Sequence, residues 1–181
     1  MMDFADVSGW ESWLAGHHDA EGGVWLRIAK KSSGVVSVTA GQALEVALCY
    51  GWIDSHRKSY DESYFLQRYS RRSRRSPWSQ VNVERVAALT AAGRMRPPGL
   101  VEVTAAQADG RWAAAYAAQR TATVPPDLAE ALAEHPEAAA RFAALDRTGR
   151  YRIILPLLKA RTPAGRAARL QRALLEIQPV G

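Results

Sequence analysis

Two runs of alternating side chains, Trp52 to Tyr60 and Tyr64 to Arg71, constrain this chain most. In an extended strand successive side chains point to opposite faces. Ile53, Ser55 and Arg57 therefore alternate with Trp52, Asp54 and His56, and Tyr64, Leu66 and Arg68 with Phe65, Gln67 and Tyr69. Both runs are half polar, which suits an antiparallel pair with one wet face. Asp61-Glu62-Ser63 joins them as a turn. Val24 to Lys31 alternates in the same way and reads as a further strand; Val35 to Val38 reads as a short extended segment.

Helices surround these strands. Ser8, with Glu11 three residues on, has capping-box spacing and opens a helix that Gly16 stops, with Trp10, Trp13 and Leu14 on its core face. Thr39 caps a helix from Ala40 to about Tyr50, ended by Gly51. Ser79 or Asn82 caps another that Gly93 closes. After the double-proline linker Arg94 to Gly99 the composition turns alanine-rich. Helices are expected over Val101 to Asp109, Ala113 to Arg120, from Pro126, from Pro136, over Tyr151 to Ala160 with Pro156 as a kink, and from Pro163 behind the cap Thr162. Arg166, Arg169 and Arg172 should face mostly outward on the last of these. The expected fold is α+β: a small antiparallel sheet with helices in the N-terminal half, packed against a C-terminal helical layer. Residues 1–96 form the α+β region with a basic hairpin and an Arg loop, and residues 97–181 a helical region, together one compact unit.

Charge is unevenly spread. Residues 1–55 carry 3 basic and 7 acidic side chains, residues 56–85 carry 8 and 3, and residues 159–181 carry 5 and 1. The positive excess of the middle window favours anionic partners, or serves only solubility. The lone Cys49 excludes an internal disulfide and reads as a buried, inert thiol. Asp3 and Asp6 stand where a signal peptide needs basic residues, and no apolar run is long enough for a transmembrane segment, so a cytoplasmic location is expected.

No phosphate-binding loop, nucleophile elbow or zinc-protease motif is present, and no metal or cofactor is expected. Asp54, close in sequence to the Arg57-Lys58 pair, reads first as a structural ion-pair partner; it is also the one candidate for acid–base chemistry or a polar ligand contact. The run Ser70 to Ser79 offers Arg71, Arg72, Arg74 and Arg75 beside Arg68, with Ser70, Ser73, Ser76 and Ser79 hydroxyls. Guanidinium forks match phosphate and carboxylate geometry, and a helix starting near Ser79 would aim free N–H groups at an anion. Tyr64, Phe65, Tyr69 and Trp78 interleave with these arginines, as in single-strand nucleic-acid sites.

The ordered motifs W-x-x-W-L from Trp10, G-V-W-L-R-I-x-K-K from Gly23, A-L-C-Y-G-W-I-D-S from Ala47 and Y-S-R-R-x-R-R-S-x-W-S-x-x-N from Tyr69 carry a resemblance. With G-R-M-x-P-P-G-L from Gly93, A-D-G-R-W-x-x-A-Y from Ala108 and V-P-P-D-L-x-x-A-L from Val124, the chain resembles the YdeI/OmpD-associated, or bacteriocin-protection, family from Trp10 to about Arg172. It departs from that pattern at Leu155 to Ala160, where the family commonly has W-I-x-x-A-K. The resemblance implies a part in bacteriocin protection, stress response or antimicrobial resistance, and brings no catalytic residues. Trp52, Asp54, Ser55, Trp78, Ser79, Asn82, Arg111, Trp112 and Tyr116 lie in the matched blocks. With Lys58 and the loop arginines they would line a ligand cleft, or three of the tryptophans would simply be core. The leading expectation is a binding protein, not an enzyme, that takes an anionic small molecule or an acidic partner protein. The alternatives are a nucleic-acid-binding module, or an enzyme using Asp54 on a phosphorylated or carboxylated substrate.

Overall fold

The computed structural model describes residues 1–177, which divide into two compact units at Ala115/Tyr116. The first unit runs through α1 (Val7–His17), β1 (Val24–Ala29), α2 (Ala40–Cys49), β2 (Trp52–Ser59), β3 (Tyr64–Arg71), α3 (Gln80–Ala91) and α4 (Pro97–Ala108). The second holds α5 (Pro126–Ala133), α6 (Pro136–Ala144), α7 (Arg147–Leu158) and α8 (Pro163–Ile177). The class is α+β, as the patterns predict. The double-proline helix α4 thus belongs with the sheet.

The sheet is antiparallel in the order β1-β3-β2. Its inner face carries Leu26 and Ile28 from β1, Phe65, Gln67 and Tyr69 from β3, and Trp52 from β2. Pairing of β2 with β3 slips once. Asp54 faces Tyr69 and Arg57 faces Gln67, so β2 spends three steps where β3 spends two. The extra residue is a β-bulge at Ser55-His56. Simple alternation placed Arg57 opposite Asp54; the bulge brings both to the same face and turns Lys58 outward. Arg57 Nε then donates to Gln67 Oε1 at 2.8 Å. The outer backbone edge of β1 is covered by the chain start, where Met2 N donates to Trp25 O and Arg27 N to Met2 O.

Trp10 is the hub of this unit. It is fully buried, donates its indole N–H to Ala43 O at 3.0 Å, and its ring lies 5.4 Å from Trp13, 5.7 Å from Tyr69 and 6.4 Å from Trp52. Helix α1 starts earlier than its serine suggests. Asp6 is the cap, accepting from Gly9 N, and Ser8 donates its hydroxyl to the same carboxylate. A carboxylate also complements the positive helix start. Thr39 caps α2 as predicted, and Gln42 completes a capping box with it. Val35 to Val38 adds no strand; Val38 N donates to Phe4 O and its side chain is buried. Cys49 is buried, which pushes its thiol up from the ordinary range.

Helix α4 begins at Pro97 rather than Val101, since proline is well suited to the first helical position. Gly99 within it lies against the Cys49 carbonyl at the end of α2. No helix forms over Ala113 to Arg120.

In the second unit Leu128, Leu132, Phe142, Ile153, Ile154, Leu157, Leu174 and Ile177 make the core. Arg166 does not face outward as expected: it turns in to Asp127, with nitrogen–oxygen distances of 2.6 and 2.7 Å, and to Leu157 O. Helix α7 continues through Pro156, whose carbonyl accepts from Arg169 Nη1. The bonds from Arg166 hold the Asp127 carboxyl below its ordinary pKa of 3.8. A lowered carboxyl pKa adds stability that is complete above the ordinary value and disappears as pH falls through the folded one. Each side chain is about a third exposed (35% and 31%), so screening keeps this contribution modest. Acid unfolding followed by far-UV circular dichroism should therefore show a shallower low-pH loss in Asp127→Asn than in the parent. Identical acid limbs would show that the pair contributes nothing.

Candidate functional site

The Arg-Ser stretch leaves β3 as a tight loop whose arginines divide into two sets. Arg72 turns inward. Its backbone N–H donates to Gly51 O, and its guanidinium lies 3.6 Å over the Trp78 ring, with Nη1 donating to Pro77 O at 3.2 Å. The side chain is 3% exposed. Serines close the turn: Ser73 N donates to Ser76 Oγ, Arg75 N to Ser73 Oγ and Ser76 N to Ser73 O. Such local side-chain-to-backbone bonds are what serine does well in turns.

Arg111 holds this turn from another element. It is 4% exposed. Its Nη1 donates to Ser73 O and Ser76 O, at 3.4 and 3.3 Å, and its Nε to the Asp109 carboxylate at 2.7 Å. Trp112, next along, packs its ring 4.8 Å from that of Trp78. The result is a loop fixed by two buried guanidiniums, with Arg71, Arg74 and Arg75 left exposed. Arg71 also lines a cleft of about 330 Å³ with Asp19 and Glu102, so its charge is partly offset.

The remaining predicted positions lie elsewhere. Ser79 is spent on capping α3, its Oγ and O both accepting from the backbone N–H of Asn82, which lies within the first turn of that helix. Trp52 is fully buried and donates its indole N–H to His18 O at 2.7 Å. Ser55 is exposed in the bulge. Lys58 lies 4.7 Å over the Trp25 ring on the outer sheet face, and Arg68 donates to Gly22 O. Tyr116 belongs to the second unit, with Lys159 5.0 Å from its ring.

Asp54 is half buried on the inner sheet face opposite Tyr69. Burial raises its pKa, and Arg57, Arg72 and Arg85 oppose part of that rise. Burial likewise lifts the Tyr69 phenol well above its usual range. Sequence reasoning left two residues out of the site: Asp109, and Arg85, whose charge acts on Asp54. The Asp109-Gly110-Arg111 spacing was the available signal for the first, since a turn at Gly110 (φ 78°) folds the arginine back onto the carboxylate.

Aromatic faces in this unit already carry cations. Besides Trp25 and Trp78, Tyr64 has Arg27 at 4.6 Å and Phe65 has Arg57 at 4.4 Å. Among the described residues no cluster of three or more His, Cys, Asp or Glu is arranged to hold a metal ion, and no helix is long and apolar enough to cross a membrane.

The fold and this loop define an α+β protein that displays a cationic turn fixed from beneath. The chain belongs to a family described as a domain of unknown function (DUF8412), whose family model matches residues 2–102. Residues 121–178 match the model of the bacteriocin-protection, YdeI or OmpD-associated family. The recognised family is therefore borne out in the second unit, while the motif blocks from Trp10 to Leu100 fall in the other match and the block from Ala108 to Tyr116 in neither. No curated protein and no solved structure matches the chain.

Proposed function

We propose that this is a cytoplasmic binding protein of the bacteriocin-protection type, and that it recognises an anionic ligand or partner through Arg71, Arg74 and Arg75. One observation carries the reading: the exposed Arg74 and Arg75 sit on a turn that Arg72 and Arg111 fix from the buried side, and the exposed Arg71 ends the strand that leads into it. A prefixed loop loses little conformational freedom on binding, so more of the contact energy appears as affinity. The buried charges beneath add to the positive field that draws an anion. Base stacking is disfavoured because cations occupy the aromatic faces that nucleotides would use.

The test is binding to inorganic polyphosphate, an acidic peptide and a single-stranded oligonucleotide, compared between the parent and the triple variant Arg71→Gln, Arg74→Gln, Arg75→Gln. Polyphosphate or acidic-peptide binding should weaken about tenfold or more. Folding should stay within about 0.5 kcal/mol, as for most surface substitutions. Equal binding by parent and triple variant would remove the loop from recognition. Tighter, steeply salt-dependent binding of the oligonucleotide would instead favour a nucleic-acid partner.

A further inference from the structure

The positive excess of residues 159–181 belongs to the second unit, where one cleft gathers much of it. Helix α7 and its cap Lys159 lend the stripe Arg152, Leu155, Pro156 and Lys159. Helix α8 lends Arg169, Arg172, Ala173 and Glu176. Both stripes have the spacing i, i+3, i+4, i+7, which keeps residues on one helix face. The helices run antiparallel along the cleft. Arg152 Nη2 lies 3.0 Å from Glu176 Oε1 at one end, and nearer the other Arg169 Nη1 donates to Pro156 O at 2.6 Å. Midway the stripes offer only a proline ring and a methyl group, Pro156 and Ala173, which do not fill the space between them. A cleft of about 410 Å³ is left, within the range of small-molecule sites.

Its two ends differ. Four cations line the cleft against one acid, Glu176, and that acid is paired with Arg152. Lys159 and Arg169 stand toward the other end, with Arg172 one turn along α8 from Arg169. Leu155, Pro156 and Ala173 supply the apolar surface between. Cations gathered at one end of an apolar floor match an anion with an apolar body. The negative group meets Lys159, Arg169 and Arg172, and carbon covers the floor. A bare inorganic ion would leave the floor to water, and a cationic amphiphile would be repelled by the guanidiniums.

We propose that this cleft between α7 and α8 is a binding site for a small organic anion with an apolar body, of which a medium-chain carboxylate is the simplest. It is separate from the Arg71–Arg75 loop, which belongs to the first unit.

The probe is octanoate, titrated calorimetrically into the full chain. Acetate, with the same head and no tail, and octyltrimethylammonium, with the same tail and the opposite charge, are the controls. Octanoate should bind saturably, one per chain, and each control about tenfold more weakly or worse. Arg172 is exposed, so Arg172→Glu should keep the circular-dichroism spectrum of the parent while octanoate binding weakens about tenfold or more. Arg172→Gln serves in its place if that spectrum changes. The triple variant Arg71→Gln, Arg74→Gln, Arg75→Gln should bind octanoate as the parent does. Absence of saturable octanoate binding, equal binding of the ammonium amphiphile, or a folded Arg172 variant that binds like the parent would overturn the site. Loss of octanoate binding in the triple variant would assign that binding to the loop and overturn it too. Association with phosphatidylglycerol vesicles without binding of free octanoate would make the cleft a membrane contact, again against the proposal.

Discussion

Replacing Gly99 by alanine is expected to destabilise the first unit by about 3 kcal/mol or more, although alanine is the better helix former. The added Cβ would collide with the Cys49 carbonyl oxygen. It would also come within 2.7 Å of the Cys49 carbonyl carbon and 2.9 Å of Leu48 O. All three are backbone atoms at the end of α2, so no side-chain rotation relieves the clash. Helix α4 would have to lift, straining the bond from Arg96 N to Cys49 O and the Arg96–Glu11 ion pair. An unconstrained helix would gain up to about 1 kcal/mol from the same change, so the sign alone decides the matter. Denaturant unfolding read by tryptophan fluorescence is the measurement, since all six tryptophans lie in residues 1–115. An unchanged or raised midpoint would mean that α4 is free to shift off α2.

Trp52→Ala should cost about 3–5 kcal/mol, the range for truncating a buried aromatic side chain. Trp52 is fully enclosed and meets Trp10 and Trp13 edge-on, at 6.4 and 5.9 Å. Its indole N–H is the donor for His18 O, so the variant also leaves that carbonyl without its bond. Trp52→Phe keeps most of the packing and gives up the hydrogen bond, and should lose a smaller part of the stability. Because its ring points into the core, Trp52→Phe should leave polyphosphate binding where it was. A folded Trp52→Phe with weakened binding would return this residue to the ligand site.

The contrast between Trp52 and Arg72 explains what was legible in the sequence. Strand and helix identities followed from side-chain period and capping chemistry, which are local. Thr39, Ser79 and Thr162 mark helix starts by short-range bonds that any reader of the chain can anticipate. The direction of each arginine is a long-range property. Nothing in S-R-R-S-R-R-S says that the second arginine turns in; that follows from Trp78, six residues on, and from Gly51, whose carbonyl binds the Arg72 backbone. Arg111 was singled out from its motif block, but its grip on Ser73 and Ser76 spans 38 and 35 residues. The division of the loop into buried and exposed guanidiniums is therefore a tertiary result. Arg57 was misplaced for a related reason, since strand parity holds only while the pairing does not slip.

That slip bears on how this chain should be aligned with others. A homologous strand of one residue fewer would require a gap between Asp54 and Arg57, and an ungapped alignment would be in frame for only one half of β2. Counted straight through, the homologue's counterpart of Lys58 would be taken for that of Arg57, transferring a surface cation to the inner face. Equivalences around Asp54 are sound only when each half of the strand is anchored separately, the first on Trp52 and the second through the partners Gln67 and Leu66.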